Sequence, residues 1–567
     1  MGQRGDMVCR ALLFLGFVAT SLGFAGAGHD DMWIMLFAGE TVGKGAWFLN
    51  HNGVPQEIST SVFGALLAGF ASAVAPNGLE LVFWKVIAWF PAIIAGMVFF
   101  EILNRACGRG YAAFWVFVLC CFPQWHYWAW GGLESGLFWL AALLFVYCLA
   151  RFSQASDSFF AVILAVLASA LPLVRADALW APLVCLFAAI SLQGKSARFR
   201  FAPGIFACVF VGLFHCLRYY FTQGWLPNPA YAKASLSFES VQYGLAYLYS
   251  FHSETPLHVF SALAYPLAFL GIARLLHSLV DTGRSRPGVF EWSSLIIVLI
   301  DASTVVVGGD WMGYHRFAVR TLPLKLIVIA LSVDRFLIRP EVLRWDVSIK
   351  RIVASSFLIV ALTGVTAEGV VERAGLYRME SMITSADVEV EQGIFNFSVF
   401  SNKPYRRDSE ILLPWLDSQL GPLVERAIVG GHLPLKIASY QAGIFPRALR
   451  KRFDPAHVLF IDLAGLSDHR VGTLPGVKSP LGLYEGTHLW AESLASGHGA
   501  LGKFLGACRP DIVYVLAAST AQLDLMSRAG YDVVYQKNVI VDGESHSAII
   551  FASNFPGDGV CTPLGVS

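Results

Sequence analysis

Charge is what this chain has least of. Only 14% of its 567 residues are Asp, Glu, Lys or Arg, against about 25% in soluble domains. Together with 56% hydrophobic residues and a mean hydropathy of +0.58, this excludes an ordinary soluble protein. The formal net charge is +1 and there is no basic tail, so the electrostatic footprint of a nucleic-acid binder is missing. No internal repeat divides the chain, which argues against the paired halves common in transporters. Among ten cysteines no spacing resembles a metal site. Eight lie at or before Cys216, mostly inside apolar runs, and only Cys508 and Cys561 fall in the C-terminal third. These two either pair as a disulfide, if that third lies outside the cytoplasm, or remain free thiols.

What the chain does have is long apolar sequence between residues 11 and 367. A membrane-spanning helix needs about 20 mainly apolar residues, and on that measure about eleven spans are expected. They lie near 9–28, 79–103, 111–130, 134–151, 158–174, 178–193, 203–221, 256–279, 291–307, 317–338 and 351–367. Residues 58–75 and 238–252 read as juxtamembrane or re-entrant helices. The distribution of cations tests the parity. Arg4 and Arg10 precede the first span, and alternate loops carry Arg105 and Arg109, Arg151, Arg198 and Arg200, Arg284 and Arg286, then Arg335 and Arg339. The positive-inside rule places those loops and the N-terminus in the cytoplasm, and the C-terminus outside. Ala25-Gly26-Ala27 also resembles a signal-peptide cleavage site, an alternative that leaves Asp30 on the same outer side.

The expected organisation is therefore a transmembrane domain over 1–369 and an extracytoplasmic domain over 370–567. In the latter, 427–430, 457–462, 511–517, 532–536 and 547–552 read as strands, and segments near 433–450 and 519–529 as helices. That alternation suggests a small α/β domain.

Polar residues gather in the loops on one side. The first outer loop opens with Asp30 and Asp31, a costly pair at a membrane boundary. The second runs from Gln124 through Trp128 and Trp130 to Glu134, the third holds Arg175 and Asp177, the fourth Asn228 and Lys233, and the fifth Asp310, Trp311, Tyr314, His315 and Arg316. Each has a plain reading: an aromatic belt for the Trp/Tyr run, a local ion pair for Arg175 and Asp177, a turn for Gly309-Asp310. Their convergence on one face points to a site that handles a lipid with an anionic head. Arg316, Lys233 and Arg175 suit a phosphate, arginine being able to grip it through two N–H groups. Trp128, Trp130, Trp311 and Tyr314 suit stacking on a sugar or a polyisoprenoid chain. Asp30, or else Asp31, suits a general base on an acceptor hydroxyl. Glu134 and Asp310 suit sugar hydroxyls or helix caps, and Asp177, Asn228 and His315 complete the set for sugar and acceptor. Asp301, inside the ninth span, pairs with Arg320 or faces a cavity.

Several motifs recur in a familiar order: Asp30-Asp31, Gly132-Leu133-Glu134-Ser135, Arg175-Ala176-Asp177, Pro227-Asn228-Pro229-Ala230-Tyr231-Ala232-Lys233, Gly308-Gly309-Asp310-Trp311-Met312 and Ile461-Asp462-Leu463-Ala464-Gly465-Leu466-Ser467-Asp468. The chain resembles the GT-C membrane glycosyltransferases, in particular the AftB-like terminal β-(1→2) arabinofuranosyltransferases and the pilin arabinosyltransferases. The resemblance implies a polytopic α-helical membrane enzyme of GT-C type with a C-terminal extracytoplasmic α/β domain. It implies inverting transfer of a pentose, arabinofuranose in the first instance, from a polyprenyl-phosphate donor to a glycan or glycoprotein of the cell envelope. Transfer would occur at the outer face of the cytoplasmic membrane, with Asp30 as base, or next to it Asp31. No cofactor beyond the lipid-linked donor is implied; a divalent ion, if used, would sit on a loop carboxylate. The chain departs from the pattern where Met32-Trp33-Ile34-Met35 follows the acidic pair in place of an aromatic, arginine-rich helix. It departs again at Arg175-Ala176-Asp177-Ala178, so donor sugar and acceptor stay open. A transporter of lipid-linked sugars and a non-catalytic envelope scaffold are the competing readings.

Overall fold

The computed structural model describes residues 3–25, 30–45, 49–76, 78–155, 158–190, 197–233, 238–253, 256–280, 286–309, 315–335, 415–430, 434–439, 444–463, 471, 499–515, 520–541 and 544–553. The membrane part is helical: α1 (Gln3–Leu22), α2 (Asp30–Gly43), α3 (Val62–Val74), α4 (Glu80–Cys107), α5 (Arg109–Cys120), α6 (Pro123–Trp130), α7 (Ser135–Ala155) and α8 (Ser158–Val174). It continues with α9 (Trp180–Ile190), α10 (Ala197–Thr222), α11 (Asn228–Lys233), α12 (Phe238–Ser253), α13 (Pro256–Ala262), α14 (Ala264–Val280), α15 (Val289–Val306), α16 (Arg316–Val319) and α17 (Leu322–Val333). Among the described residues, five stretches are long and apolar enough to cross a membrane: Glu80–Cys107, Ser135–Gln154, Phe199–Thr222, Leu257–Ser278 and Val289–Val306. Six shorter apolar helices accompany them, and the chain is a multi-pass membrane protein.

Three expectations need correction or limits. The span near 111–130 is two helices, because Phe122 precedes Pro123 and takes an extended conformation (φ −86°, ψ 107°), as the clash with a following proline ring favours. Residues 30–43, read as loop, are the helix α2. The span near 351–367 and the boundary at 369/370 lie outside the described residues. The stretch near 58–75 holds only the 13-residue α3, started by Ser61, whose Oγ accepts from the Gly64 N–H at 3.0 Å.

α2 and α3 cross with almost no separation. A Cβ built at Gly39 would overlap the backbone of Gly69, and one at Gly69 would overlap that of Gly39. Glycine at both positions is what lets α2 lie flat on α3 and fixes the height of its first residues.

The C-terminal part contains α18 (Gly421–Gly430), β1 (Leu435–Ser439), α19 (Ile444–Arg452), β2 (Val458–Asp462), α20 (Gly499–Cys508), β3 (Ile512–Val515), α21 (Thr520–Arg528), β4 (Tyr531–Val541) and β5 (Glu544–Ser553). The sheet order is β2-β1-β3-β5-β4; β1 pairs parallel with β2 and β3, and β5 antiparallel with β3 and β4. One face packs Ala438, Ile461 and Val513 against Phe504, Leu505 and Met526. The other packs Ile437, Phe460 and Tyr514 against Phe445, Leu449 and Trp415. This is an α/β layer arrangement. Two local expectations reverse. Residues 427–430 end a helix and leave Val429 90% exposed, so they line no sheet. The supposed helix over 433–450 opens with β1, an interior strand of the sheet whose Ile437 and Ala438 are fully buried. Among the described residues seven cysteines are free, whereas Cys508 is disulfide-bonded; Cys561 lies outside the described residues.

The sheet docks on the first loop of the membrane part. Asn52 meets the edge strand β2 as a strand would: its Nδ2 donates to the Phe460 carbonyl at 2.6 Å and its Oδ1 accepts from the Phe460 N–H at 2.7 Å. Arg450 also donates to Asn52 Oδ1 at 3.2 Å. Beside it, Arg447 of α19 pairs with Glu40 of α2 and lies 5.0 Å from the Trp33 ring centre. Asn52→Ala strands both Phe460 backbone groups, which costs about 1–3 kcal/mol when they are buried. Thermal unfolding in detergent should show a lowered Tm, and amide exchange at β2 should quicken. Unchanged exchange at β2 would contradict this docking.

Candidate functional site

Five loops meet at the domain-facing ends of the helices. The Asn228 N–H donates to the Glu57 carbonyl at 2.9 Å and the Ala176 N–H to the Thr60 carbonyl at 3.3 Å, tying the fourth and third loops to the first. Arg218, which the sequence reading passed over, anchors the same loop through two hydrogen bonds to Glu57, at 2.6 and 3.1 Å. Both side chains are 1% exposed. An arginine within an apolar helix such as α10 was the available signal.

At the centre stands Phe317. The guanidinium carbons of Arg320, Arg175 and Arg316 lie 4.4, 4.8 and 5.0 Å from its ring centre, in reach of its electron-rich face. Each cation also meets a carboxylate. Arg175 pairs with Glu134 and, through Nε at 3.0 Å, with Asp177. Arg320 pairs with Asp177 and donates to Thr304 at 2.7 Å. Arg316 reaches Asp31 at 3.4 Å, the longest of these contacts. Burial acts to raise the Asp177 pKa, but Arg175 and Arg320 outweigh it and hold the carboxyl well below the usual range.

Asp31, Ser59, Glu134, Arg175, Pro229 and Arg316 are among the residues lining a cavity of about 50 Å³ between the five loops. That is room for water, well short of the roughly 300 Å³ at which ligand pockets begin. Binding a sugar phosphate here therefore requires the loops to part.

The expected site residues are placed as follows. Asp30 begins α2, and Asp31, Glu134, Arg175, Asp177 and Arg316 join the cluster. Asn228 is buried and donates to Gln56 Oε1 at 3.2 Å. His315 turns toward α12, its Nε2 2.7 Å from Ser250 Oγ. Its backbone is left-handed (φ 48°), a strained choice for a side chain of this size. Asp310, Trp311 and Tyr314 lie outside the described residues, as do the side chains of Asp30 and Lys233. The aromatic expectation is overturned in part. Every residue of α6 is buried, Trp130 stacks on Trp89 at 4.6 Å, and Trp128 sits 5.8 Å from the Arg316 guanidinium. Neither forms a surface belt or an open stacking platform, because α6 is wedged among α4, α5 and α7. Asp301 does not pair with Arg320; it takes Lys325 at 3.0 Å, Tyr265 at 2.8 Å and Thr321 at 3.0 Å. Lys85 was also passed over. It is buried in α4, and its Nζ donates to the Ala25 carbonyl at 2.7 Å, just before α2 begins. Among the described residues no group of His, Cys, Asp and Glu could hold a metal.

No family model matches the chain, and no curated protein matches its sequence. Solved structures similar to it in three dimensions include two of ArnT. One is a crystal structure of ArnT from Cupriavidus metallidurans bound to undecaprenyl phosphate, at 13% identity and a TM-score of 0.45, covering 97% of this chain and 98% of that one. The other is ArnT from the same organism in the apo state, at 13% identity and a TM-score of 0.44, covering 98% of this chain and 99% of that one.

Burial pushes the His315 imidazole down to about 4 from an ordinary 6.5. A base depressed in the folded state contributes stability above its unfolded pKa and loses it as pH falls through the folded one. Stability should therefore decline between pH 6.5 and 4 in the wild type, and decline less steeply in His315→Gln. Equal slopes in thermal unfolding measured across that window would contradict a neutral, half-buried His315.

Proposed function

We propose that the chain is a membrane glycosyltransferase of GT-C type. It transfers a pentose, arabinofuranose first among candidates, from a polyprenyl-phosphate donor to a glycan or glycoprotein of the cell envelope. The reaction takes place with inversion at the outer face of the cytoplasmic membrane, beneath an extracytoplasmic α/β domain. The disulfide at Cys508 suits an oxidising compartment. The observation that carries the reading is the contact of Asp31 with Arg316, which puts a carboxylate next to a cation at the meeting point of five loops.

In this reading Asp30 takes the proton of the acceptor hydroxyl as its oxygen attacks the anomeric carbon. The bond from that carbon to the phosphate oxygen breaks, and polyprenyl phosphate leaves with the electron pair. Arg316 and Lys233 stabilise the departing charge. Arg175 is held by two carboxylates and positions Glu134 and Asp177 toward sugar hydroxyls. Asp31 holds Arg316 until the donor arrives. A second reading, transport of a lipid-linked sugar, has one observation in its favour: the buried Asp301–Lys325 pair within the bundle. Those charges satisfy one another, however, as a structural pair does.

The test is transfer from synthetic polyprenyl-phosphoryl-arabinofuranose to an arabinofuranoside by purified protein in lipid. Loss of a general base costs about 10²–10⁴-fold, so Asp30→Asn should lose at least 100-fold in kcat while still binding donor, and Asp31→Asn should lose less. The reverse order would move the base to Asp31. Full activity in both variants would sink the mechanism, and wild-type inactivity with a whole donor panel would sink the enzyme reading.

A further inference from the structure

A second cavity, of about 610 Å³, lies at the opposite ends of the same helices. It opens where α4, α7 and α17 finish and α15 begins, some 30 Å from the carboxylate cluster by the 1.5 Å rise of a 20-residue helix. Its volume falls in the range of small-molecule sites. Four of its lining residues are arginines, Arg105, Arg151, Arg274 and Arg335, against two carboxylates, Glu291 and Asp334. Arg274 meets Glu291 at 3.0 Å, and Arg105 is taken by Glu101 at 2.7 Å and by the Tyr147 hydroxyl at 2.7 Å. Arg151 differs. Its guanidinium lies 5.4 Å from the Phe160 ring centre, and its buried Nε has no hydrogen-bond partner. A buried guanidinium N–H without an acceptor is costly. With Arg105 answered by Glu101 and Arg274 by Glu291, Arg151 and Arg335 stand against Asp334 alone in the lining, an excess of one cation that favours an anion. The remaining wall includes Phe290 and Leu331, which suits the glycerol and first acyl carbons of an amphiphile.

We infer that this cavity binds a phosphate group at the arginine-rich, cytoplasmic end of the bundle. The phosphate comes from an anionic glycerophospholipid of the adjacent leaflet or from free phosphate. Guanidinium groups recognise phosphate through paired N–H donors, and the cytoplasmic leaflet is the negatively charged one. The site is independent of the proposed transfer reaction and its residues take no part in it.

The experiment uses the full-length protein, stripped of lipid in detergent. It is titrated with dioctanoyl phosphatidylglycerol, zwitterionic dioctanoyl phosphatidylcholine and inorganic phosphate, and binding is read by native mass spectrometry and thermal shift. The wild type should prefer the anionic lipid to the zwitterionic one at least tenfold. Arg151→Gln combined with Arg274→Gln should cut that preference below threefold, whereas Arg109→Gln, at the same end but outside the cavity, should keep it. Inorganic phosphate that displaces the lipid only weakly assigns the lipid as occupant. Phosphate that binds as tightly as the lipid and displaces it assigns free phosphate. A wild type with no anionic preference and no phosphate binding overturns the inference, as does a folded double variant with its preference intact. If the double variant does not fold, the wild-type titrations and the single variant Arg151→Gln decide the matter: a weakened anionic preference supports the inference, and an unchanged one overturns it.

Discussion

Three arginines packed on one phenyl ring, each answered by a carboxylate, are the constraint from which the site follows. Arg175, Arg316 and Arg320 come from two loops, and Asp31, Glu134 and Asp177 from three. Removing one partner of such a buried pair costs about 3–5 kcal/mol, because the other charge is left uncompensated. The loops are therefore held together less by their own backbone preferences than by the need of each charge for its counterpart. Phe317 supplies the surface on which the three cations can stand close without solvent.

The cluster as described is balanced, three positive groups against three negative. A phosphate brought to it needs a cation released or added. Arg316 lines the cavity, and its contact with Asp31, at 3.4 Å, is longer than those that Arg175 and Arg320 make with their carboxylates. Its partner Asp31 sits in the first turn of α2, and α2 is fixed on both sides: by the glycine crossing with α3 below, and by Arg447 and the Asn52 contact to β2 above. The C-terminal sheet and its helix α19 thus bear on the helix that carries the acidic pair.

Much of this was legible in the sequence, for identifiable reasons. Long apolar runs announce membrane helices, and the acidic pair, Glu134, Arg175, Asp177 and Arg316 stood out because charge is rare here. Four of the five strands of the sheet were marked by Val/Ile/Tyr-rich runs. The fifth, β1, was hidden because Lys436 and Ser439 interrupt a short apolar stretch followed by a basic helix. The α5/α6 break was signalled by Pro123 but masked by continuous hydrophobicity on both sides. Burial of Trp128 and Trp130 could not be read at all: a tryptophan run at a membrane boundary has the same composition whether it faces headgroups or the bundle. Pairing was equally opaque, since Arg320 could satisfy either Asp301 or Asp177, and only packing shows that Lys325 takes the former.

The central claim is that the Arg316 corner of this cluster receives the donor phosphate. The most direct measurement is a cryo-EM structure of the full chain with polyprenyl phosphate added in lipid. The account predicts phosphate density within hydrogen-bond reach of Arg316, with the Asp31–Arg316 contact lengthened and the five loops parted. Phosphate density elsewhere on the domain-facing side, with the Arg316 corner still closed on Asp31, would contradict it.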